Sequence, residues 1–332
     1  MRDAIRQEVS GARKRGAATA LPIVLLLVFA GSAGSQAPPS AQEHAPGSFR
    51  ISVNAALVVL HATVTDSHGV PLSTLGEQQF EVYEDGVRQR ISLFKNEDVP
   101  VTVGLVVDHS TTMGPKITEV ISAARIFARS SNPDDEMFVV NFHEVVSLGL
   151  PRTIRFTSNV AELQSAIMTA PTGGETALYA GIAKALEELR AGHRDKKVLI
   201  VISDGGDNAS ARSLDQVMKL AGESSAVIYT VGLFDENDPD RNPGVLKRLA
   251  QATGGEAFLP SRLTEVVAVC ERIARDIRHQ YTIGYIPLLT RKSGYRAIRV
   301  VPRTKDGHKL TVRTRTGYIA GGEQRLPGTT AQ

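Results

Sequence analysis

The chain has no tryptophan, a single cysteine and only 5% aromatic residues in 332. One thiol cannot form an internal disulfide or supply a cysteine-rich metal cluster. Cys270 lies in a helical pattern with Val266, Val267 and Ile273, which predicts a buried core thiol. The eight histidines are scattered without a closely paired ligand spacing, so a zinc centre of the usual kind is not expected. No glycine pair is followed by Lys-Ser/Thr in the register of a phosphate loop. Charge of one sign is also lacking. The first 36 residues hold five basic residues (Arg2, Arg6, Arg13, Lys14, Arg15) and two acidic ones (Asp3, Glu8), and removing them from the totals of 38 and 35 leaves 33 of each. A neutral body gives no electrostatic footprint for nucleic acid.

A membrane-length apolar run is missing too. Basic residues lead into the apolar stretch 17–30 and then the small residues Gly31 to Ser35. That is the order of a secretory signal, and its apolar core is short for a span. Export to the periplasm or the extracellular space is the expectation. An uncleaved N-terminal segment is the one route to membrane association.

What is present is globular in texture, with 42% hydrophobic and 22% charged residues. A Pro-, Ala- and Ser-rich linker covers 36–48. Short β patterns fill 49–97, with a turn at Asp66-Ser67-His68-Gly69 and a hairpin at Asp85-Gly86 leading into a strand over 87–91. Buried strands are then predicted at 101–108, 136–142, 197–204 and 226–233. Helices fit 115–129, 159–169, 177–191, 214–223 and 245–253. Apolar runs separated by amphipathic helices predict an α/β fold: a doubly wound, mostly parallel sheet covered on both faces. The segment 145–150 follows its predecessor too closely for a crossover helix and should be an antiparallel edge strand.

A helix over 263–279 follows, then strands at 281–286, 295–301 and 310–318 and a tail over 320–332. We expect these closing strands to join those before residue 97 in one small β module, because neither group buries enough surface alone. The chain thus divides into a signal (1–35), linker (36–48), N-terminal strands (49–97), α/β domain (98–280), C-terminal strands (281–319) and tail (320–332). Arg291, Lys292, Arg296, Arg313 and Arg315 make the last strands basic. An exposed hairpin face is the simpler expectation, and an anionic-surface or glycan contact the sharper one.

The chemistry gathers at strand ends. Asp108-His109-Ser110-Thr111-Thr112 closes the first buried strand with a carboxylate and two hydroxyls. Thr172-Gly173-Gly174-Glu175-Thr176 is a glycine-rich loop entering a helix. Ser203-Asp204-Gly205-Gly206 ends another buried strand. Asp108 and Asp204 therefore sit at one edge of one sheet, where open α/β folds place ligands. Two carboxylates and three hydroxyls make a donor set for a small hard cation. A hydrolytic triad from Asp108, His109 and Ser110 fails, since adjacent residues of an extended segment face opposite ways. The acidic loop 235–240 lacks the glycine and distal glutamate of an EF-hand, so a solvated loop near the metal edge is expected there.

These pieces resemble the von Willebrand factor type A domain, whose metal-ion-dependent adhesion site reads Asp-x-Ser-x-Ser, then a Thr, then Asp-Gly. The matching positions are Asp108, Ser110, Thr112, Thr176 and Asp204, with Thr112 departing from the usual Ser. The resemblance implies that Ser110, Thr112 and, with ligand bound, Thr176 hold Mg²⁺ (or Mn²⁺) directly, while Asp108 and Asp204 act mainly through waters. It further implies recognition of a partner protein's carboxylate, with no catalysis. The stretches 65–69, Phe80-Glu81-Val82-Tyr83-Glu84-Asp85-Gly86, 88–91, 249–255, 277–285 and 312–318 are similar to the exported acidobacterial VWFA-related proteins. Two other readings stand beside adhesion. One is an envelope structural or assembly component in which metal only stabilises the domain, and the other an accessory subunit of an enzyme complex.

Overall fold

A computed structural model describes residues 57–235, 240–288, 293–303 and 310–320. The signal and linker expectations fall outside the described residues, as does the tail beyond Ala320, which itself closes the last strand. In chain order come β1 (Val58–Thr65), β2 (Phe80–Glu84), β3 (Val87–Gln89), β4 (Ile91–Lys95), β5 (Val101–Asp108), α1 (Ile117–Ser130), β6 (Glu136–Phe142) and β7 (Val146–Leu148). Next are α2 (Val160–Met168), α3 (Leu178–Leu189), β8 (Lys196–Ser203), α4 (Leu214–Glu223), β9 (Val227–Gly232), α5 (Pro243–Thr253) and β10 (Ala257–Phe258). Last are α6 (Val266–Arg278), β11 (Tyr281–Tyr285), β12 (Gly294–Pro302), β13 (Thr311–Arg313) and β14 (Gly317–Ala320).

The central sheet runs β10-β9-β8-β5-β6-β7. Its neighbours are parallel except β7, which pairs antiparallel with β6 as an edge strand. Every residue of β5 is buried, as a strand covered on both faces requires. Gly104 in β5 allows the close packing: a Cβ there would lie 2.5 Å from the Phe138 ring and 2.6 Å from Leu199. Helix α1 packs against α2 and α6, and α4 against α3 and α5. From β5 the chain steps to β6 on one side, and from β8 it steps to β9 on the other. The loops leaving β5 and β8 therefore diverge, opening a crevice between these strands' C-terminal ends.

The flanking strands form two antiparallel sheets, β13-β1-β11-β4 and β14-β12-β2-β3, each mixing strands from before and after the α/β domain. They share one core that includes Leu60, Val82, Tyr281, Ile283 and Tyr318. Three expectations need correction. The strand expected over 310–318 is two strands, β13 and β14, in different sheets, because the chain crosses between the layers at Thr314–Thr316. The hairpin arm expected to reach Ile91 stops at Gln89, and Ile91 opens β4 in the other sheet. Arg296, Arg313 and Arg315 do not line an exposed face. Arg296 donates to Glu84, Arg313 pairs with Asp276 and Glu256, and Arg315 donates to the Gly317 and Gly222 carbonyls. Buried acceptors draw them inward, since an arginine taken out of water must be paired. Cys270 is buried in α6, as expected.

His61 on β1 makes the fold acid-labile. Burial first, then the charges of Lys196 and Arg315, holds its pKa down from 6.5 to about 3. The folded ring stays neutral while the unfolded chain takes up a proton near pH 6.5, so stability is complete above that pH and falls as pH drops toward 3. A loss of about 2 kcal/mol between pH 7 and pH 5 is expected from this group. Urea unfolding at the two pH values checks it, and His61→Leu should remove that part of the slope.

Candidate metal site

The site grows from the end of β5. One oxygen of Asp108 accepts the Ser110 amide at 2.8 Å, which turns the chain out of the strand. Its other oxygen accepts the Ser203 hydroxyl, the last residue of β8, at 2.6 Å. Residues Thr111–Lys116 then form a 3-10 segment leading into α1. Within it the Thr112 hydroxyl donates to Asp204 at 2.6 Å and lies 3.3 Å from the Ser110 hydroxyl. The second Asp204 oxygen accepts the Gly206 amide at 3.1 Å. Gly205 between them has φ +82°, and a Cβ there would lie 2.4 Å from the Asn242 carbonyl, so this turn requires glycine.

Four of the five expected residues are thus joined in one hydrogen-bonded group. Thr176 sits on the adjacent loop, and its hydroxyl makes no hydrogen bond to the other four among the described residues. That loop is stitched to the first by Gly173 N–H to the His109 carbonyl, 2.8 Å, and Thr111 N–H to the Gly174 carbonyl, 3.2 Å. Thr176 itself is gripped by Asn208: its amide donates to the Asn208 side chain at 2.8 Å, and its carbonyl accepts the Asn208 amide at 3.0 Å.

Helix α3, which starts just beyond Thr176, has no cap of its own. Its first amides are satisfied from the loop after β8: Tyr179 N–H donates to Asp207 at 2.7 Å and Ala180 N–H to Ser210 at 3.0 Å. Asp207→Ala should therefore behave as loss of a helix cap, costing about 1 kcal/mol. The expected fall in Tm is about 2–4 °C, read by thermal unfolding without metal.

Both carboxylates are buried. Burial raises the pKa of Asp108 to about 6, with Asp204 repelling it further and the Ser203 and Ser110 hydrogen bonds opposing both. A cation at this edge would relieve that cost. Among the described residues no group of three or more His, Cys, Asp or Glu is placed to hold a metal. A metal held by the described residues would rely on hydroxyl and water oxygens as well as carboxylates, which suits Mg²⁺ or Mn²⁺. The Ser110 and Thr112 hydroxyls are already gathered on Asp204, so an ion would meet a preformed cluster of oxygens, with the Thr176 hydroxyl on the adjacent loop. The residues present fit such an ion.

A serine–histidine pair does not form. His109 Nε2 is 3.1 Å from Asn141 Oδ1, whereas the Ser110 hydroxyl meets Thr112. Both described ends of the acidic loop lie against the site's supports. Asp235 meets Lys116 at 2.9 Å, and Asp240 accepts Asn208 Nδ2 at 3.1 Å. Residues 236–239 of that loop lie outside the described residues. Sequence reasoning missed Ser203, Asp207, Asn208, Ser210 and Lys116. The cap-forming run Asp207-Asn208-Ala209-Ser210 was a visible signal, but the helix it caps lies thirty residues earlier.

Residues 103–206 match the family model of the von Willebrand factor type A domain. This chain carries a type A domain. The match runs from β5 to Gly206 and holds all five site positions. No curated protein matches the chain. Among solved structures it is similar to a von Willebrand factor type A protein from Catenulispora acidiphila, at 11% identity over 81% of this chain and 74% of that one, TM-score 0.49. It is also similar to the vWF domain of the type V pili tip protein Mfa5 from Porphyromonas gingivalis, at 16% identity over 54% and 95%, TM-score 0.46. A third is proximal thread matrix protein 1 from the mussel byssus with a zinc-occupied MIDAS motif, at 17% identity over 54% and 48%, TM-score 0.45. Among the described residues no helix is long and apolar enough to cross a membrane.

Proposed function

We propose that this is an exported interaction protein whose type A domain holds Mg²⁺ or Mn²⁺ and recognises a partner protein through it. Ser110, Thr112 and Thr176 would offer hydroxyls to the ion, with Asp108 and Asp204 behind them. When bound, the ion supplies an open, under-neutralised position that a carboxylate of the partner fills. The observation that carries this reading is the buried pair Asp108 and Asp204, joined through Ser110 and Thr112 at the crevice between β5 and β8. Access supports it as well, since Thr111, Gly174, Glu175 and Asn208 at this edge are exposed. We read the site as one of recognition, with no bond-breaking step. Export rests on the N-terminal signal pattern.

The second reading, an envelope component in which metal only stabilises the domain, draws on the stitching of three loops around the site. Affinity capture from cell-envelope extract separates the two. On the first reading the chain retains a protein in Mg²⁺ and releases it in EDTA, and Thr176→Ala loses that capture while keeping its fold. Identical capture in Mg²⁺ and EDTA would sink the recognition reading.

A further inference from the structure

Lys116 is buried at 3% exposure, and its ammonium group has a defined destination. It donates to the Leu233 carbonyl at 2.8 Å and meets the Asp235 carboxylate at 2.9 Å. Burying an ammonium and holding it with hydrogen bonds is a poor route to stability, since an apolar side chain of similar volume packs as well or better. A role in placing something is the physical alternative.

What it places is the segment Thr111–Lys116. A 3-10 run of six residues is longer than that helix ordinarily sustains, because its hydrogen bonds are poorly aligned. The segment is pinned near its start by Thr112 on Asp204 and at its end by Lys116 on Leu233. The Leu233 amide donates to the Ser203 carbonyl at 3.1 Å, and the Ser203 hydroxyl holds Asp108. Lys116 therefore grips the residue just beyond β9 that is bonded to the end of β8, where Ser203 orients Asp108.

We infer that Lys116 is a positioning residue for the metal site, fixing Thr112 relative to Asp108 and Asp204. This rests on the metal-binding reading above. The sign of the effect separates positioning from electrostatics. Removing a positive charge near a bound cation should tighten metal binding by Coulomb's law alone, whereas loss of positioning should weaken it.

The test is titration of the full chain with Mg²⁺ alone by calorimetry, together with thermal unfolding in EDTA. Lys116→Met is expected to raise the Kd for Mg²⁺ about tenfold, the scale of effects from residues that orient metal ligands. Its Tm in EDTA should stay near wild type, and Lys116→Arg, which keeps a cationic donor, should recover part of the affinity. Unchanged or tighter Mg²⁺ binding by Lys116→Met overturns the inference while leaving the metal site standing. If Lys116→Met does not fold, Lys116→Gln, too short to reach Leu233, is judged by the same criterion. Absence of Mg²⁺ binding by the wild-type chain would overturn the metal-binding reading, and this inference with it.

Discussion

Asp108→Ala should raise the Kd for Mg²⁺ by about a hundredfold or more while changing the stability of the metal-free domain little. The carboxylate touches two supports at once, the Ser110 amide and the Ser203 hydroxyl, and so fixes the backbone that presents Ser110 and Thr112. Losing it removes both the negative charge behind the ion and the geometry in front of it. For the metal-free domain two effects oppose. Two donors lose their acceptor, at about 1–3 kcal/mol each if they stay unsatisfied. Against that, the folded state no longer holds a buried carboxylate whose pKa is pushed up to about 6 by burial and by Asp204. A net change within about 2 kcal/mol follows from these opposing terms. Calorimetry with Mg²⁺ and thermal unfolding in EDTA measure the two parts. A variant that collapses without metal would favour the purely structural role.

The largest expected stability effect lies elsewhere. Glu84 on β2 is fully buried and is shared by three partners: Arg296 on β12, the Tyr285 hydroxyl on β11 at 2.6 Å and the Tyr318 hydroxyl on β14 at 3.0 Å. One carboxylate from before the α/β domain therefore gathers three strands from after it, across both flanking sheets. Glu84→Ala strips the counter-charge from a buried guanidinium and the acceptor from two buried phenols. Breaking a buried pair from one side costs about 3–5 kcal/mol. A fall in Tm of about 10 °C is the corresponding expectation, with Glu84→Gln, which keeps an acceptor, losing less. A change of only a degree or two would mean that apolar packing alone holds the module together.

The central sheet was legible because burial on both faces leaves a strong local trace. The continuous apolar runs ending at Asp108, Phe142 and Ser203 became β5, β6 and β8 within a residue of their expected bounds. The edge strand β7 was legible from spacing alone. The flanking module was harder. The run 310–318 looks like one strand, and the crossing between sheets at Thr314–Thr316 has no local sign, because it is set by which layer each half pairs with. Arg296, Arg313 and Arg315 misled for a similar reason: an arginine in a strand carries no mark of whether a carboxylate waits beneath it. At the site, the five oxygen-bearing positions stood out because each sits in a short motif. Ser203, Asn208 and Lys116 did not, since each acts on a residue far away in sequence: Asp108, Thr176 and Leu233.

The central claim is that a divalent cation sits among Ser110, Thr112 and Thr176 with Asp108 and Asp204 behind it. Its most direct test is a crystal of the full chain grown with Mn²⁺ and measured for anomalous scattering from manganese. The account predicts one strong anomalous peak at the crevice between β5 and β8, within bonding distance of the Ser110 and Thr112 hydroxyls, and its loss in crystals of Asp108→Ala. No peak at that edge, or a peak only at the 235–240 loop, would contradict it.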